Sequence, residues 1–296
     1  PGNAMDPWVA ATLLAQATTR VRIAQCVTNL KSRHPAATAA ASASLDLLAQ
    51  GRVVLGIGTG HSGTRNLGLG IGNVAELEDG AVALRALLAG RPARWRGGEA
   101  HLPWVKQPCP VFLSASGPKA LAAAGRAADG AFVNFGLGRE TIAQSEAAVR
   151  AAAVAAGRDP EAIEIWQIAA LDCNPDGAAS RRRVGAILAF MAAGYILRGE
   201  LAARGVPAAL HGAIAELRQR YSTRPGDADA ALVDELGLFD YLSGRFAIHG
   251  TPARCREQLL AARQAGLRRV MFSVSLAADP VQTVELFGAE VLPALR

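Results

Sequence analysis

Along this chain, short β-branched runs alternate with longer segments in which apolar residues recur every three to four positions. That alternation is expected of parallel strands each followed by a helix. Three of the runs share a further feature. Val21 to Asn29 with His34-Pro35 following, Val53 to Gly60, and Val111 to Gly117 with Pro118-Lys119 following all end in small or glycine residues and open directly into helix-compatible sequence. A strand that ends in glycine and turns at once into a helix exposes bare backbone to a ligand and aims helix N–H groups at anything anionic. Repetition of this unit predicts an α/β fold, a TIM-type (β/α) barrel with its site at the carboxyl ends of the strands.

The remaining pattern fills in the order of elements. Asp6 caps a helix with Pro7 at its first position that runs to about Thr19, and Val21 to Thr28 is a strand. His34-Pro35 opens a helix ending at Gly51, and Val53 to Ile57 is the next strand. After a glycine-rich loop, Val74 to Leu88 is a helix closed by Gly90, and 91–109 form an irregular crossover. Strand Val111 to Ser114, helix Lys119 to Ala128, strand Ala131 to Asn134, helix Thr141 to Ala156 and strand Ile163 to Leu171 follow. A long, mostly helical insertion spans about 176–243, then Thr251-Pro252 opens a helix to Ala265 and Val270 to Val274 is the last strand. These six strands fall two short of a closed barrel, and the shortfall lies at the front, where the chain begins on a helix. The expectation is one barrel domain over 1–296 that lacks its first two strands in this chain and carries its helical insertion before the last strand.

The segment Gly58-Thr59-Gly60-His61-Ser62-Gly63 matches the dinucleotide fingerprint G-x-G-x-x-G, but that fingerprint requires a helix to continue from the third glycine. Here Gly68, Gly70 and Gly72 follow at two-residue intervals, which a helix interior tolerates poorly. A long glycine-rich barrel loop fits better.

Composition narrows the class. With 51% hydrophobic residues over 296, the chain can bury a core of barrel size without disulfide support. Its four cysteines, Cys26, Cys109, Cys173 and Cys255, form neither a C-x-x-C pair nor a zinc-type spacing with histidine, which points to a reducing cytoplasm and no metal. No apolar run reaches the roughly 18 residues of a membrane span. The net charge of +6 comes mainly from arginine clusters at Arg181-Arg182-Arg183, Arg91 with Arg94 and Arg96, and Arg268-Arg269. Interleaved aromatics and a recognition motif are missing, so these read as solvated helix ends or as contacts to an anionic cofactor tail rather than a nucleic-acid surface.

Several segments carry a resemblance. They are Asp6-Pro7-Trp8, Val27-Thr28-Asn29 with Arg33-His34-Pro35, Leu45-Asp46 with Gly51-Arg52, Leu55 to Gly60, Ala115-Ser116-Gly117-Pro118, Gly125-Arg126 with Ala128-Asp129-Gly130, and Gly250-Thr251-Pro252. In these the chain resembles the bacterial-luciferase-like superfamily of TIM-barrel oxidoreductases, which use flavin mononucleotide (FMN) or the deazaflavin coenzyme F420. Within it, Ala192-Ala193-Gly194 included, the chain is most similar to the branch containing methylenetetrahydromethanopterin reductase.

The resemblance implies roles position by position. The strand end Gln25-Cys26-Val27 matches the family's bulge beneath the central ring of the cofactor, a non-proline cis peptide in deazaflavin enzymes, and places Cys26, Val27 and Thr28 against the ring. The alternative for Cys26 is an ordinary buried small hydrophobe. Asn29 follows as a hydrogen-bonding partner of ring or substrate, or simply as the residue that closes the strand with a turn. His61 stands where some relatives place a proton-handling carboxylate, and imidazole can serve as general acid or base near neutral pH. It can equally be a solvent-facing loop residue. Ala115, Ser116 and Gly117 open a helix whose matching segment binds the cofactor phosphate in relatives, together with the strand end Gly130 to Gly136, Asn134 included. The implied function is hydride transfer between F420 and a small organic substrate. An FMN monooxygenase working with a reductase is the alternative, and a non-catalytic barrel subunit is a third reading. A homodimer or higher homo-oligomer is expected because the helices at 6–19 and 35–50 present small-residue faces that permit close packing.

Overall fold

The computed structural model describes residues 5–60, 62–65, 67–193, 197, 199–221, 227–274, 277 and 279–295. In chain order the elements are α1 (Pro7–Ala17), β1 (Ile23–Asn29), α2 (Pro35–Ala49), β2 (Val53–Gly58), α3 (Ser62–Arg65), α4 (Val74–Leu88), β3 (Ala93–Trp95), β4 (Gly98–Ala100), β5 (Val111–Ala115), α5 (Pro118–Ala127), β6 (Gly130–Val133), α6 (Arg139–Ala155), β7 (Glu164–Cys173), α7 (Gly177–Met191), α8 (His211–Arg220), α9 (Asp227–Glu235), α10 (Phe239–Phe246), β8 (Ala247–Gly250), α11 (Pro252–Gln264), β9 (Val270–Ser273) and α12 (Pro280–Leu286). Two compact units share these elements. The first comprises Pro1–Ala115, Lys119–Phe132 and Ala147–Ile165, and the second Ser116–Pro118, Val133–Glu146 and Trp166–Arg296.

In the first unit, β1 pairs with β2 and β2 with β5, all parallel. Every residue of β2 is buried, as expected of a strand covered on both faces. Helix starts follow local chemistry. Asp6 Oδ1 accepts from the N–H groups of Trp8 and Val9, and the Nδ1 of His34 accepts from Ala36 at 3.1 Å, with proline next in the chain each time. Arg52 ties the end of α1 to the start of β2. Its guanidinium donates to the carbonyls of Ala15, Thr18, Val21 and Ala49 and to the Thr18 hydroxyl. Close approach of α6 to α5 depends on Gly125, because a Cβ there would collide with the Val149 carbonyl and lie 3.0 Å from Ala152 Cβ.

In this unit one feature differs from the pattern read off the sequence and one agrees with it. The stretch 91–109 holds an antiparallel hairpin of β3 and β4, turned at Arg96 (φ 47°) and Gly97 (φ 84°). Strands of three residues carry no readable alternation, and positive φ at an arginine has no sequence signature. The segment after α3 bears out the loop reading of the glycine-rich stretch, since α3 is a four-residue helix and Gly68 and Gly70 have φ of 69° and 68°.

In the second unit, β7 runs parallel to two short strands. Its Ala170–Cys173 portion pairs with β8 and its Gln167–Ala170 portion with β9. The inserted helices α7 to α10 bury their own core of Val184, Leu188, Ile214, Leu217, Val233, Leu242 and Phe246. Strand β8, which begins where α10 ends, is a strand that the hydrophobic pattern misses. It has four residues, two of which are His249 and Gly250, so neither alternation nor a β-branched run marks it. Two strands therefore follow the insertion. Among the described residues, no helix is long and apolar enough to cross a membrane.

Candidate active site

At the carboxyl end of β1 the peptide between Cys26 and Val27 is cis, and the pairing with β2 shifts register between Gln25 and Thr28. The irregularity expected at this strand end is present. It also accounts for the glycines of the neighbouring strand. A Cβ on Gly56 would meet the Gln25 carbonyl and lie 3.2 Å from Val27 Cγ1, and one on Gly58 would lie 2.9 Å from Val27 Cγ2. Glycine on β2 thus makes room for the β1 backbone and for Val27.

Beyond the cis peptide, Thr28 and Asn29 are half-buried. Asn29 Oδ1 accepts from the N–H groups of Lys31 and Ser32 at 3.0 and 2.9 Å and from the Ser32 hydroxyl at 3.1 Å. The turn-closing role is therefore real, and the amide NH2 is the part of Asn29 that remains to donate outward. Cys26 lies at the surface of a cavity of about 270 Å³ between β1 and α1, with Ala10, Ala11, Leu14 and Gln25 around it. Solvent reaches the edge of the thiol, yet the protein packed about it pushes its pKa up to about 12, so the sulfur is a neutral thiol. Gln25 is 5% exposed, and neither polar atom of its amide has a hydrogen-bond partner.

In the second unit, Ser116–Pro118 leads into α5, and two arginines gather there. Arg204 closes a short 3-10 turn, Ala202–Arg204, and Gly205 follows with φ 64°. Its Nη1 donates to the Ser116 carbonyl, and its guanidinium atoms lie 3.0 to 3.2 Å from where a Gly117 Cβ would be. Arg245, on α10, is 5% exposed and holds the neighbouring backbone. Its Nε and Nη2 donate to the Phe135 carbonyl at 2.9 and 2.7 Å, and its Nη1 to the Gly205 carbonyl at 3.1 Å and the Tyr241 hydroxyl at 2.6 Å. Arg245 also donates to the carbonyl of Arg204. Gly136, with φ 136°, is glycine because a Cβ would lie 2.8 Å from Arg245 Cγ and 2.9 Å from Thr141 Oγ1.

Among the described residues, neither Arg204 nor Arg245 has a carboxylate within ion-pair distance. Burial pushes both guanidinium pKa values down. For Arg204 the nearby Arg218 and Arg245 push the same way, whereas the Tyr241 phenol opposes burial at Arg245. A buried guanidinium without a counter-charge is costly, and an anion repays the cost. Placed beside the N–H groups that open α5, Arg204 suits a phosphate, while Arg245, whose five N–H groups are all given to neutral acceptors, adds only its charge.

The predicted site residues divide between the units. Cys26, Val27, Thr28 and Asn29 are together on β1. Ser116, Gly117 and Gly136 are gathered around the Arg204–Arg245 pair. Ala115 is fully buried at the end of β5, and Asn134 is buried. Gly130 is enclosed, since a Cβ there would strike the Phe112 ring and lie 2.6 Å from the Glu164 carbonyl. His61 lies outside the described residues. Lys119 is exposed on the first turn of α5. Arg204 and Arg245 escaped the sequence reading, because arginines within a helical insertion look like ordinary solvated positions. Among the described residues, no three His, Cys, Asp or Glu side chains converge as metal ligands.

A family model described as luciferase-like monooxygenase matches residues 1–269. The 5,10-methylenetetrahydromethanopterin reductase of Methanolobus tindarius is 26% identical over 302 aligned residues, covering 98% of this chain and 88% of that protein. Among solved structures, the coenzyme F420 dependent tetrahydromethanopterin reductase of Methanopyrus kandleri superposes with a TM-score of 0.76 at 22% identity, covering 99% of this chain and 89% of that one. The oxygenating constituent of 3,6-diketocamphane monooxygenase from Pseudomonas putida, solved with FMN, gives 0.63 at 18% identity over 98% and 84%. These likenesses show the α/β fold of luciferase-like TIM-barrel enzymes.

Proposed function

The chain belongs to the luciferase-like monooxygenase family, and from that premise we propose that it is an oxidoreductase that transfers hydride between coenzyme F420 and a small organic substrate. The observation that carries the reading is the Arg204–Arg245 pair, two guanidinium groups without a carboxylate partner among the described residues, set where Ser116 and Gly117 open α5. The similarity to a reductase that uses F420 favours this cofactor. FMN is the alternative because it offers the same phosphate, and a monooxygenase with FMN bound shares the fold.

When bound, the deazaflavin supplies a two-electron hydride carrier, and the chain supplies the rest. The N–H groups of Ser116 and Gly117, the Ser116 hydroxyl and the Arg204 fork hold the phosphate. Arg245 fixes the carbonyls of Phe135, Arg204 and Gly205, so that Gly136 and Asn134 keep their places. On β1, Cys26 and Val27 offer backbone and small side chains to the ring face, Thr28 a hydroxyl and Asn29 an amide N–H. His61, next to Gly60, is the proposed proton donor or acceptor, and no metal enters the reading. Mixing the protein with F420 or with FMN, removing free ligand and reading the absorbance of the protein fraction tests the proposal. Retention of F420 but not FMN supports it, retention of FMN alone favours the monooxygenase reading, and retention of neither refutes both.

The protein is proposed to act in the cytoplasm as a homodimer. Val9, Leu13 and Leu14 on α1 and Leu47 and Leu48 on α2 are all more than half exposed, an apolar surface that a second copy would cover. Sedimentation equilibrium at micromolar concentration should return twice the chain mass, and a monomer would refute the assignment.

A further inference from the structure

We propose that Cys173 and Cys255, in the second unit, form an oxidisable dithiol that a hydroperoxide converts to a disulfide, and that this bond staples the two roots of the helical insertion. The inference is independent of which cofactor the chain binds.

Strand pairing and a helix start bring the two thiols together. Cys173 is the last residue of β7, and its register partner is Gly250, the last residue of β8. Thr251 then caps α11, and in the first turn of that helix the Cys255 N–H donates to the Thr251 carbonyl at 2.9 Å. The Gly250 carbonyl accepts the Asn174 N–H at 2.9 Å and the Cys255 S–H at 3.6 Å, so the residues on either side of the pair share one acceptor. The two side chains are within hydrogen-bonding distance of each other. Both cysteines are 0% exposed, in a core shared with Leu171, Ile248, Leu259 and Phe287. The Thr283 hydroxyl donates to the Cys173 carbonyl at 3.3 Å and helps to hold the strand end in place.

The core alone asks only for a small hydrophobe at each position. Two sulfurs in contact add the capacity to bond with little backbone movement. Gly250 and Arg254 line an open groove of about 810 Å³, which brings a small oxidant within one residue of Cys255 along the chain. Burial pushes both thiols up, but the hydrogen bond between them favours the thiolate at Cys173, which makes Cys173 the attacking sulfur. Its S–O bond forms as the O–O bond breaks, and the Cys173 proton leaves on the departing oxygen as water or an alcohol. The Cys255 sulfur then attacks the sulfenic acid. The S–S bond forms as the S–O bond breaks, and the Cys255 proton leaves with the hydroxyl as water. Two thiols are oxidised and one hydroperoxide is reduced. Because the second thiol is already in contact, closure outruns further oxidation to the sulfinic acid.

The bond has a structural consequence. The chain departs into α7 just after Cys173 and comes back through β8 just before Cys255, so the disulfide closes the loop that holds α7 to α10 together with Arg204 and Arg245. Closing a long loop stabilises a fold by restricting the unfolded chain.

The test treats the folded full chain with hydrogen peroxide, removes the excess with catalase, blocks remaining thiols with iodoacetamide in denaturant and maps the unreduced peptides by mass spectrometry. A thermal melt is recorded before and after dithiothreitol. The expected result is a peptide pair joined through Cys173 and Cys255, two hydrogens lighter than its reduced parts, and a melting temperature about 5–10 °C higher that dithiothreitol returns to the starting value. Cys255→Ala should show neither the link nor the rise, and the peptide map of the parent decides the matter even if that variant does not fold. Recovery of Cys173 and Cys255 as free thiols, as separate sulfinic acids or joined to other cysteines overturns the proposal. A link that leaves the melting temperature unchanged or lowers it also overturns it.

Discussion

Replacing Arg204 with alanine should weaken the binding of phosphate-bearing cofactor and leave the phosphate-free ring system almost unaffected. The guanidinium donates to the Ser116 carbonyl and sits 3.0 to 3.2 Å from the Gly117 Cβ position, so any phosphate that uses the N–H groups of that turn meets Arg204 as well. A charge-assisted hydrogen bond to phosphate contributes about 1.5–3 kcal/mol. At about 1.4 kcal/mol per factor of ten, the expected loss is about 10- to 100-fold in Kd. Arg204 is half-buried rather than enclosed, which places the result toward the lower end of that range. Arg204→Lys retains charge but not the planar fork, and should fall between parent and alanine. The assay is a fluorescence titration of each protein with F420 and with the deazaflavin riboside that lacks phosphate, and with FMN against riboflavin. Loss confined to the phosphorylated member of each pair supports the assignment. Equal loss for both members, or none for either, refutes it. Folding should be nearly unchanged, because the substitution also removes the cost of burying the cation.

The other predictions concern stability. Asp172 is wholly buried, and the Ser180 hydroxyl gives its proton to the backbone carbonyl of Asp172, leaving both carboxylate oxygens without a hydrogen bond. Burial raises its pKa above the usual 3.8, with Arg183 opposing only in part, so the folded chain holds this proton more tightly than the unfolded one and stability declines as pH rises from that value. Asp172→Asn should remove the decline and add about 1–3 kcal/mol near neutrality, and melts that show the same pH slope in both proteins would refute this. Gly125→Val should cost about 1–3 kcal/mol by forcing α6 off α5, visible as a lower denaturant midpoint, and a midpoint equal to the parent's would contradict the packing argument. Arg52→Met removes five hydrogen bonds at the junction of α1 and β2 and should destabilise by about 2–4 kcal/mol, with cleavage near 18–22 in limited proteolysis before the rest of the chain. Resistance of that junction equal to the parent's would show that the bonds are dispensable.

The long elements were legible because several local signals agree in each. Helix α4 is bounded at Val74–Leu88 as its periodicity indicates, with Asn73 capping it and Gly90 at φ 68° beyond its end. Pro7, Pro35 and Pro252 mark three helix starts to the residue. What escaped was short or non-local. Strand β8 exists because β7 offers the edge Ala170–Cys173, a property of another segment of the chain. The β3–β4 hairpin depends on an arginine with positive φ, which propensity does not foresee. Arg245 is the clearest case. Nothing in Ser243-Gly244-Arg245-Phe246 distinguishes it from a surface arginine until the carbonyls of Phe135, Arg204 and Gly205, over 40 to 110 residues away, are folded around it.

Glycine at a strand end proves that something approaches the backbone closely, and the structure shows why that alone does not identify a ligand. Gly56 and Gly58 make room for the Gln25 carbonyl and for Val27, and Gly130 makes room for the Phe112 ring and the Glu164 carbonyl. At all three positions the approaching group is part of the fold, and substitution would report on stability rather than binding. Gly117 differs because its neighbour is the Arg204 guanidinium, a species that seeks an anion where neutral backbone does not, whereas Gly136 makes room for the Arg245 stem and the Thr141 hydroxyl. The discriminating quantity is therefore the unmet electrostatic demand of whatever stands against the glycine. By that measure the turn at Ser116–Gly117 carries the stronger evidence for a ligand, and Gly130, equally tight at the start of β6, carries evidence of packing.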